Sequence, residues 1–459
     1  MDILIKNIST LIQDADHILN NKDILIEGNK IKKISTILPE DISSNCKIIE
    51  AKGKVVMPGL INAHTHLYQS MLRGCRDDLT LVPWCENVTF PFANIVHKDC
   101  WEKGDIKIGY YWSMLSSIEM IHNGITCCID MELTLDSIFK AWQDIGMRGI
   151  AAITVANRWI PKEFCRDDKT IKAEIEQYIK KWHQGSVNGG LLQVFMAPST
   201  LFCSTPELME WLVKKTEEYN LGFQIHISET KWENKQALEE FKTTPLKYME
   251  SLNLLRRPIS AAHCIYLTEE EIDIAAERGV IPVYNPKSNM KLSDGVAPIA
   301  KMLGRGVTVA LGTDGAASND LLDMFEEMRV GALLQKVFSE EPGVISASEI
   351  FKMATENGAK AARINAGTIK EGKLADLIIL NLNKAHSAPV NDVIQNIVYC
   401  AKGSNVETTI INGKVIMEKG KIVTVDEESL TTEGIKRGEG ILKRINFNKS
   451  IKSQDYKSK

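Results

Sequence analysis

Two histidines separated by one threonine, His64 and His66, close the apolar run of "PGLINAHTH". In an extended chain alternate side chains share a face, so the two imidazoles project together and Thr65 points away. That spacing can chelate a cation; it can equally belong to a half-buried strand that carries two polar residues. Histidine is scarce, nine in all, and two more, His226 in "GFQIHI" and His263 in "PISAAH", stand at the ends of short apolar runs. Asp314 follows another such run, "VTVALGT". Three neutral imidazoles and one carboxylate are a natural set for Zn²⁺ or a similar borderline divalent ion with a position left for water. Glu229, three residues past His226 in "QIHISET", falls where a strand gives way to a loop. A carboxylate beside such an ion, but not needed to hold it, is a candidate proton carrier.

Residues so far apart in the chain meet only if the fold gathers strand ends. From about residue 57 to 367, eight short apolar runs recur: "VVMPGLI", "GITCCID", "RGIAAITV", "LLQVFMA", "GFQIHI", "PISAAH", "GVIPVY" and "VTVALGT". Most are separated by longer segments of helical periodicity, the pattern of βα units around a parallel sheet. Eight is the strand number of a (β/α)8 TIM barrel, which builds its active site at the carboxyl ends of the strands. The expectation is an α/β chain with the barrel over residues 57–367. The β-like runs of residues 1–56 and 368–459 pair beside it into a small β-sandwich. "GTIKEGK", residues 367–373, fits a phosphate-loop spacing, but Leu374 replaces the required Ser or Thr and no core strand precedes it, so it reads as a turn.

The chain has 459 residues, 44% hydrophobic and 25% charged, enough for a large core. Net charge is -4 and no basic stripe with interleaved aromatics occurs, which argues against a nucleic-acid partner. No run of 18 apolar residues predicts a membrane span, and "MDILIKNIST" lacks the features of a secretory signal. Ten cysteines without C-x-x-C pairs or framework spacing point to reduced thiols in a cytoplasmic protein. The lysine-rich end, "KSIKSQDYKSK", reads as a solvated terminus.

In their order and separations, "PGLINAHTH", "HISE", "AAHC", "NPKSNMKL" and "LGTDGAASND" resemble the amidohydrolase superfamily. The closer likeness is to its branch of methylthioadenosine and S-adenosylhomocysteine deaminases, free-base deaminases of the 8-oxoguanine type, and triazine hydrolases. It covers nearly the whole chain, including "GKLADLIIL" and "INGKVIMEKGK" near the end. The resemblance implies that His64, His66, His226 and Asp314 hold the metal. It implies that His263 hydrogen-bonds the attacking water or the substrate, that Asp314 helps to take and orient the water's proton, and that Glu229 carries protons to the ring. Binuclear members use a carbamylated lysine at the end of strand four, and "LLQVFMAPST" has no lysine. One divalent metal per chain follows, zinc first and iron as the alternative. Relatives of this branch commonly form homodimers or larger assemblies.

The connection from about residue 67 to 123 is too long for a simple βα loop and rich in bulky groups, as lids commonly are. Trp84 within it either stacks on substrate or only packs the excursion, and Gln69, three residues beyond His66, could bond a ring edge. Nucleoside deaminases of the branch carry a glutamate about nine residues after the lid tryptophan, where this chain has Ala93, and a histidine in the strand-four motif, where it has Ser199. Gln69, Trp84 and Ser199 are therefore the expected substrate contacts. The favoured reaction is hydrolytic deamination of a small aminated heterocycle without a sugar: a purine, pyrimidine, pterin or triazine. The alternatives are an adenosine-type nucleoside deaminase, a triazine chlorohydrolase and a non-catalytic scaffold. Glu229 favours amine departure, because a nitrogen leaving group needs a proton and chloride does not.

Overall fold

Five strands open the chain: β1 (Ile3–Asp14), β2 (His17–Glu27), β3 (Lys30–Ser35), β4 (Lys47–Glu50) and β5 (Val55–Pro58). The computed structural model describes residues 2–36, 46–102, 107–132, 134–162, 165–183 and 190–445. The lysine-rich end, residues 446–459, lies outside the described residues. The apolar run "VVMPGLI", expected as one barrel strand, is divided at Gly59. Its first half is β5, and its second half begins β6 (Leu60–Thr65) in a different sheet. A Cβ at Gly59 would stand 2.2 Å from the Thr126 side chain, so the chain can pass this point only without one.

From β6 the barrel continues through β7 (Ile125–Glu132), β8 (Arg148–Thr154), β9 (Leu192–Ala197), β10 (Gly222–Ile227), β11 (Ser260–His263), β12 (Ile281–Tyr284) and β13 (Ala310–Leu311). Each strand pairs parallel with the next in chain order. Every residue of β6 and β10 is buried, because the barrel interior excludes water on one face and the helix layer on the other. Helices such as Pro206–Tyr219, Glu269–Arg278 and Met324–Ser339 connect the strands or follow the last. Thr268 and Glu271 cap the second of these reciprocally, and the Asp323 carboxylate accepts from Phe325 and Glu326 at the start of the third.

The seam between β13 and β6 is closed by single bonds in place of a ladder. The Asp314 N–H donates to the His64 carbonyl at 3.0 Å, and Asn62 and Thr313 exchange hydrogen bonds of 2.7 and 3.0 Å. Gly312 allows this approach, since a Cβ there would lie 2.9 Å from the His64 backbone. The last bond of the seam thus places a metal-donor candidate, Asp314, against the strand that carries two others.

After the barrel come β14 (Leu377–Leu380), β15 (Val406–Ile411), β16 (Lys414–Glu418) and β17 (Lys421–Ile422), followed by the helix Glu427–Leu442, and the four strands join the first five in one mixed sheet. Within it β5 lies parallel to β1 and antiparallel to β14. Ile3, Ile24, Val56, Leu377 and Ile410 belong to one buried cluster, so both ends of the chain share a core. Arg148, at the start of β8, crosses to this sheet: its guanidinium meets the Asp376 carboxylate at 2.5 and 3.1 Å, with both side chains buried. Residues 367–373 form turns, with Gly367 and Gly372 at φ +75° and +84°, and lead into β14. Among the described residues no helix is long and apolar enough to cross a membrane.

Candidate metal centre

The period of β6 turns His64 and His66 toward one point, with ring centroids 4.9 Å apart. His226 from β10 stands 4.8 Å from His64, and His263 from β11 stands 5.4 Å from His226. Asp314 enters from the loop after β13. Several strand ends here finish in the left-handed backbone region without glycine: Ser199 at φ +38°, Ser228 at +50°, His263 at +72° and Asp314 at +59°. Such residues cost about 1–3 kcal/mol each, and these four sit where polar groups are presented.

Each imidazole is oriented from behind. The Nδ1 of His64 faces Gln224 Oε1 at 3.0 Å, that of His66 the Met131 carbonyl at 2.9 Å, that of His226 the Ser199 carbonyl at 2.7 Å, and that of His263 Asn289 Oδ1 at 2.9 Å. These oxygens only accept, so Nδ1 carries the proton and Nε2 keeps its lone pair. The Nε2 atoms then converge. Those of His66 and His226 are 3.3 Å apart, and those of His64 and His66 are each 3.5 Å from Asp314 Oδ1. Lone pairs aimed at one another and at a carboxylate repel unless a cation lies among them. The buried Nε2 atoms of His64 and His263 have no hydrogen-bond partner among the described residues.

The donor set fits a divalent cation. Two overlapping groups have their ligand atoms within 4.8 Å of one another: His64, His66 and Asp314, and His64, His226 and His263. Burial, and then the neighbouring His64, push His66 down to about 4, and His226 is held well below its ordinary value for the same reasons. Both are thus neutral, the form that binds metal. The Asp314 carboxyl is buried among these rings. Ser288 Oγ at 2.5 Å, Ser318 Oγ at 3.0 Å and the Gly315 N–H at 2.7 Å fix its orientation.

Glu229 stands beside this set and not within it, with Oε1 3.6 Å from His263 Nε2. Its backbone N–H donates to Glu233 Oε2 at 2.7 Å, which ties the loop after β10 to the helix Lys231–Glu240. Burial first, and then the charges of Asp314 and Glu233, push Glu229 well above its ordinary value. Asp294 is pushed up to about 9 by burial and by Glu229. Sequence reading had not found Asp294, two residues past "NPKSNMKL", nor Gln224, two residues before His226 and so on the same face of β10.

The expected substrate contacts separate. Ser199 lines a cavity of about 170 Å³ at the carboxyl ends of the strands, together with Ala93, Tyr68, Phe90, Thr154 and Arg166. Its carbonyl also holds His226, so this cavity adjoins the donors. Gln69 and Trp84 are buried and are not part of the described cavity wall. The Gln69 amide lies on Gly315, where a Cβ would stand 2.0 Å from Oε1, and it accepts from the Ala317 N–H at 3.4 Å. It therefore braces the loop that carries Asp314.

Residues 55–416 match the amidohydrolase family. A 5-methylthioadenosine/S-adenosylhomocysteine deaminase of Thermococcus sibiricus is 41% identical over 420 residues, 91% of this chain and 94% of that protein. A 5'-deoxyadenosine deaminase of Methanocaldococcus jannaschii is 38% identical over 432 residues, 93% of this chain and 97% of its own length. Among solved structures, an adenosine deaminase from Xanthomonas campestris with bound zinc superimposes with a TM-score of 0.87 at 25% identity, covering 96% of this chain and 99% of that one.

Proposed function

The chain belongs to the amidohydrolase family and is a hydrolase of C–N bonds, and from that premise we propose that it deaminates a planar aminated heterocycle with release of ammonia. The observation that carries the reading is the placement of Glu229 beside the donors, 3.6 Å from His263, where its carboxyl can reach a ring nitrogen. A divalent cation held by His64, His66, His226 and Asp314 would supply, when bound, the charge that makes water acidic enough to attack near neutral pH. Zinc is the assigned cation, one per chain, in line with the Xanthomonas campestris relative, and iron is the alternative. His263, fixed by Asn289, orients the attacking water or the ring, and Asp314, fixed by Ser288, Ser318 and Gly315, takes part in accepting the water's proton. Glu229 protonates the ring nitrogen, regains a proton that comes from the attacking water, and passes it to the amine as the C–N bond breaks, so that ammonia leaves and an oxo group remains on the ring.

For the substrate, a ring without ribose is the first reading. Ala93 and Ser199 both line the cavity and offer it only a methyl group and one hydroxyl. The second reading, an adenosine-type nucleoside modified at the 5' position, is favoured by the names of the relatives. We place the enzyme in the cytoplasm, as a homodimer or larger assembly, a state that sedimentation would read. The deciding experiment measures ammonia release by the zinc-loaded protein from free purines, pterins and triazines and from adenosine, 5'-deoxyadenosine and 5-methylthioadenosine. Turnover of free rings at a kcat/KM about tenfold or more above the nucleosides establishes the first reading, and the reverse order establishes the second. Absence of ammonia from every compound would sink the deaminase assignment.

A further inference from the structure

The opposite end of the barrel, where β10, β11 and β12 begin, holds a second cavity of about 410 Å³. Phe223, Ile281 and Val307 give it an apolar floor, and Arg257, Lys360 and Arg363 stand in its wall. None of the three cations has a carboxylate within ion-pair distance among the described residues. Arg257 donates to the Thr216 carbonyl and, at 2.5 Å, to Asn220 Oδ1. Arg363 donates to the Leu221 carbonyl at 3.1 Å and to the same Asn220 Oδ1 at 2.7 Å. Two guanidinium groups therefore converge on one neutral oxygen. Partial burial, and then the neighbouring Arg257, pull Arg363 below its ordinary value, while the Arg363 and Lys360 side chains reach solvent at the rim and Arg257 is half-buried.

Like charges held side by side on neutral acceptors repel, and a dianion in the adjoining cavity would relieve that repulsion through the hydrogens the two guanidinium groups have left. The volume is that of a ligand pocket, and an apolar floor under a cationic rim calls for a ligand with both characters. We propose that this cavity binds a small phosphate monoester, with the phosphate on Arg257, Arg363 and Lys360 and the apolar body on the barrel floor. The site is separate from the metal donors, which lie at the far ends of the same strands.

Asn220 supplies the sharpest variant. It caps the helix Pro206–Tyr219 at φ +55°, a conformation that aspartate also tolerates. Asn220→Asp would set a carboxylate between the two guanidinium groups and compete with the ligand in place. The test titrates phenyl phosphate and inorganic phosphate into the full-length zinc-loaded protein by calorimetry, with thermal midpoints measured alongside. Saturable binding of one phenyl phosphate per chain is expected, tighter than inorganic phosphate and weakened by salt. Asn220→Asp should raise the midpoint of the free protein and weaken phenyl phosphate about tenfold or more. The double variant Arg257→Gln/Arg363→Gln should weaken it at least as much while ammonia release stays unchanged. No saturable binding to the wild type overturns the proposal, as does equal affinity in Asn220→Asp. Binding that survives in both variants and disappears on zinc removal places the anion at the metal centre and overturns it as well.

Discussion

Arg148 with Asp376, and the imidazoles with Asp314, are two buried charged clusters of the same molecule, and they are finished differently. In the first, the guanidinium meets the carboxylate through two hydrogen bonds and gives further donors to the Gly190 carbonyl and to Asn412. Each charge meets its complement within the chain. In the second, every hydrogen bond from Nδ1 is directed outward, and the inward lone pairs have only each other and a carboxylate to face. A buried cluster complete in itself ties one sheet to another, whereas one that is complete only with an added cation marks where chemistry is done.

Removing a donor should have the largest effect. His226→Ala and Asp314→Ala are expected to lose bound metal and turnover together, read by elemental analysis and ammonia release. Full metal occupancy in His226→Ala would refute the assignment. Glu229→Gln comes next: metal content should stay near normal while the chemical step slows by about 10²- to 10⁴-fold. The loss should be much smaller on a chloro derivative than on the amino derivative of one ring, because chloride leaves without a proton. Loss of metal in Glu229→Gln would move that residue into the donor set.

Asp376→Ala tests the other cluster. It strands the Arg148 guanidinium in the interior and should lower stability by about 3–5 kcal/mol in denaturant titration, with metal stoichiometry of the folded fraction unchanged. A loss of metal at equal folded fraction would show that the two clusters are coupled. The smallest effect is expected from Gln224→Leu, which removes the acceptor behind His64. Metal affinity, measured against a competing chelator, should fall about 10- to 100-fold, with turnover restored by excess metal. Unchanged affinity would mean that packing alone orients His64.

The convergence of His64, His66, His226, His263 and Asp314 is legible in the sequence because each stands at the end of a short apolar run, and parallel barrel strands bring those ends together. What holds them is less legible. Gln224 meets His64 from 160 positions away, and nothing local distinguishes it from an ordinary interior amide; Ser288, Asn289 and Ser318 fall within "NPKSNMKL" and "LGTDGAASND", but which donor each would hold is set only by the fold. The run "VVMPGLI" misled for a different reason. Both halves are buried strands, so hydrophobicity is continuous across Gly59 although the sheet changes there. Gln69 and Trp84 carry side chains suited equally to a ligand and to packing, and only the path of the chain between β6 and β7 sets them apart from the cavity wall.

The place of β5 in the terminal sheet bears on how the molecule is made. One flank of β5 meets β1, which precedes it, but the other meets β14, which follows after the whole barrel. During synthesis that flank stays open while about 320 residues are added, roughly 16–64 s at 5–20 residues per second. For that interval the nascent chain presents an apolar strand edge next to the segment that carries His64 and His66. Crowded ribosomes would be expected to pair such edges between neighbouring chains, and a chaperone that covers the first sixty residues would act at the most exposed moment.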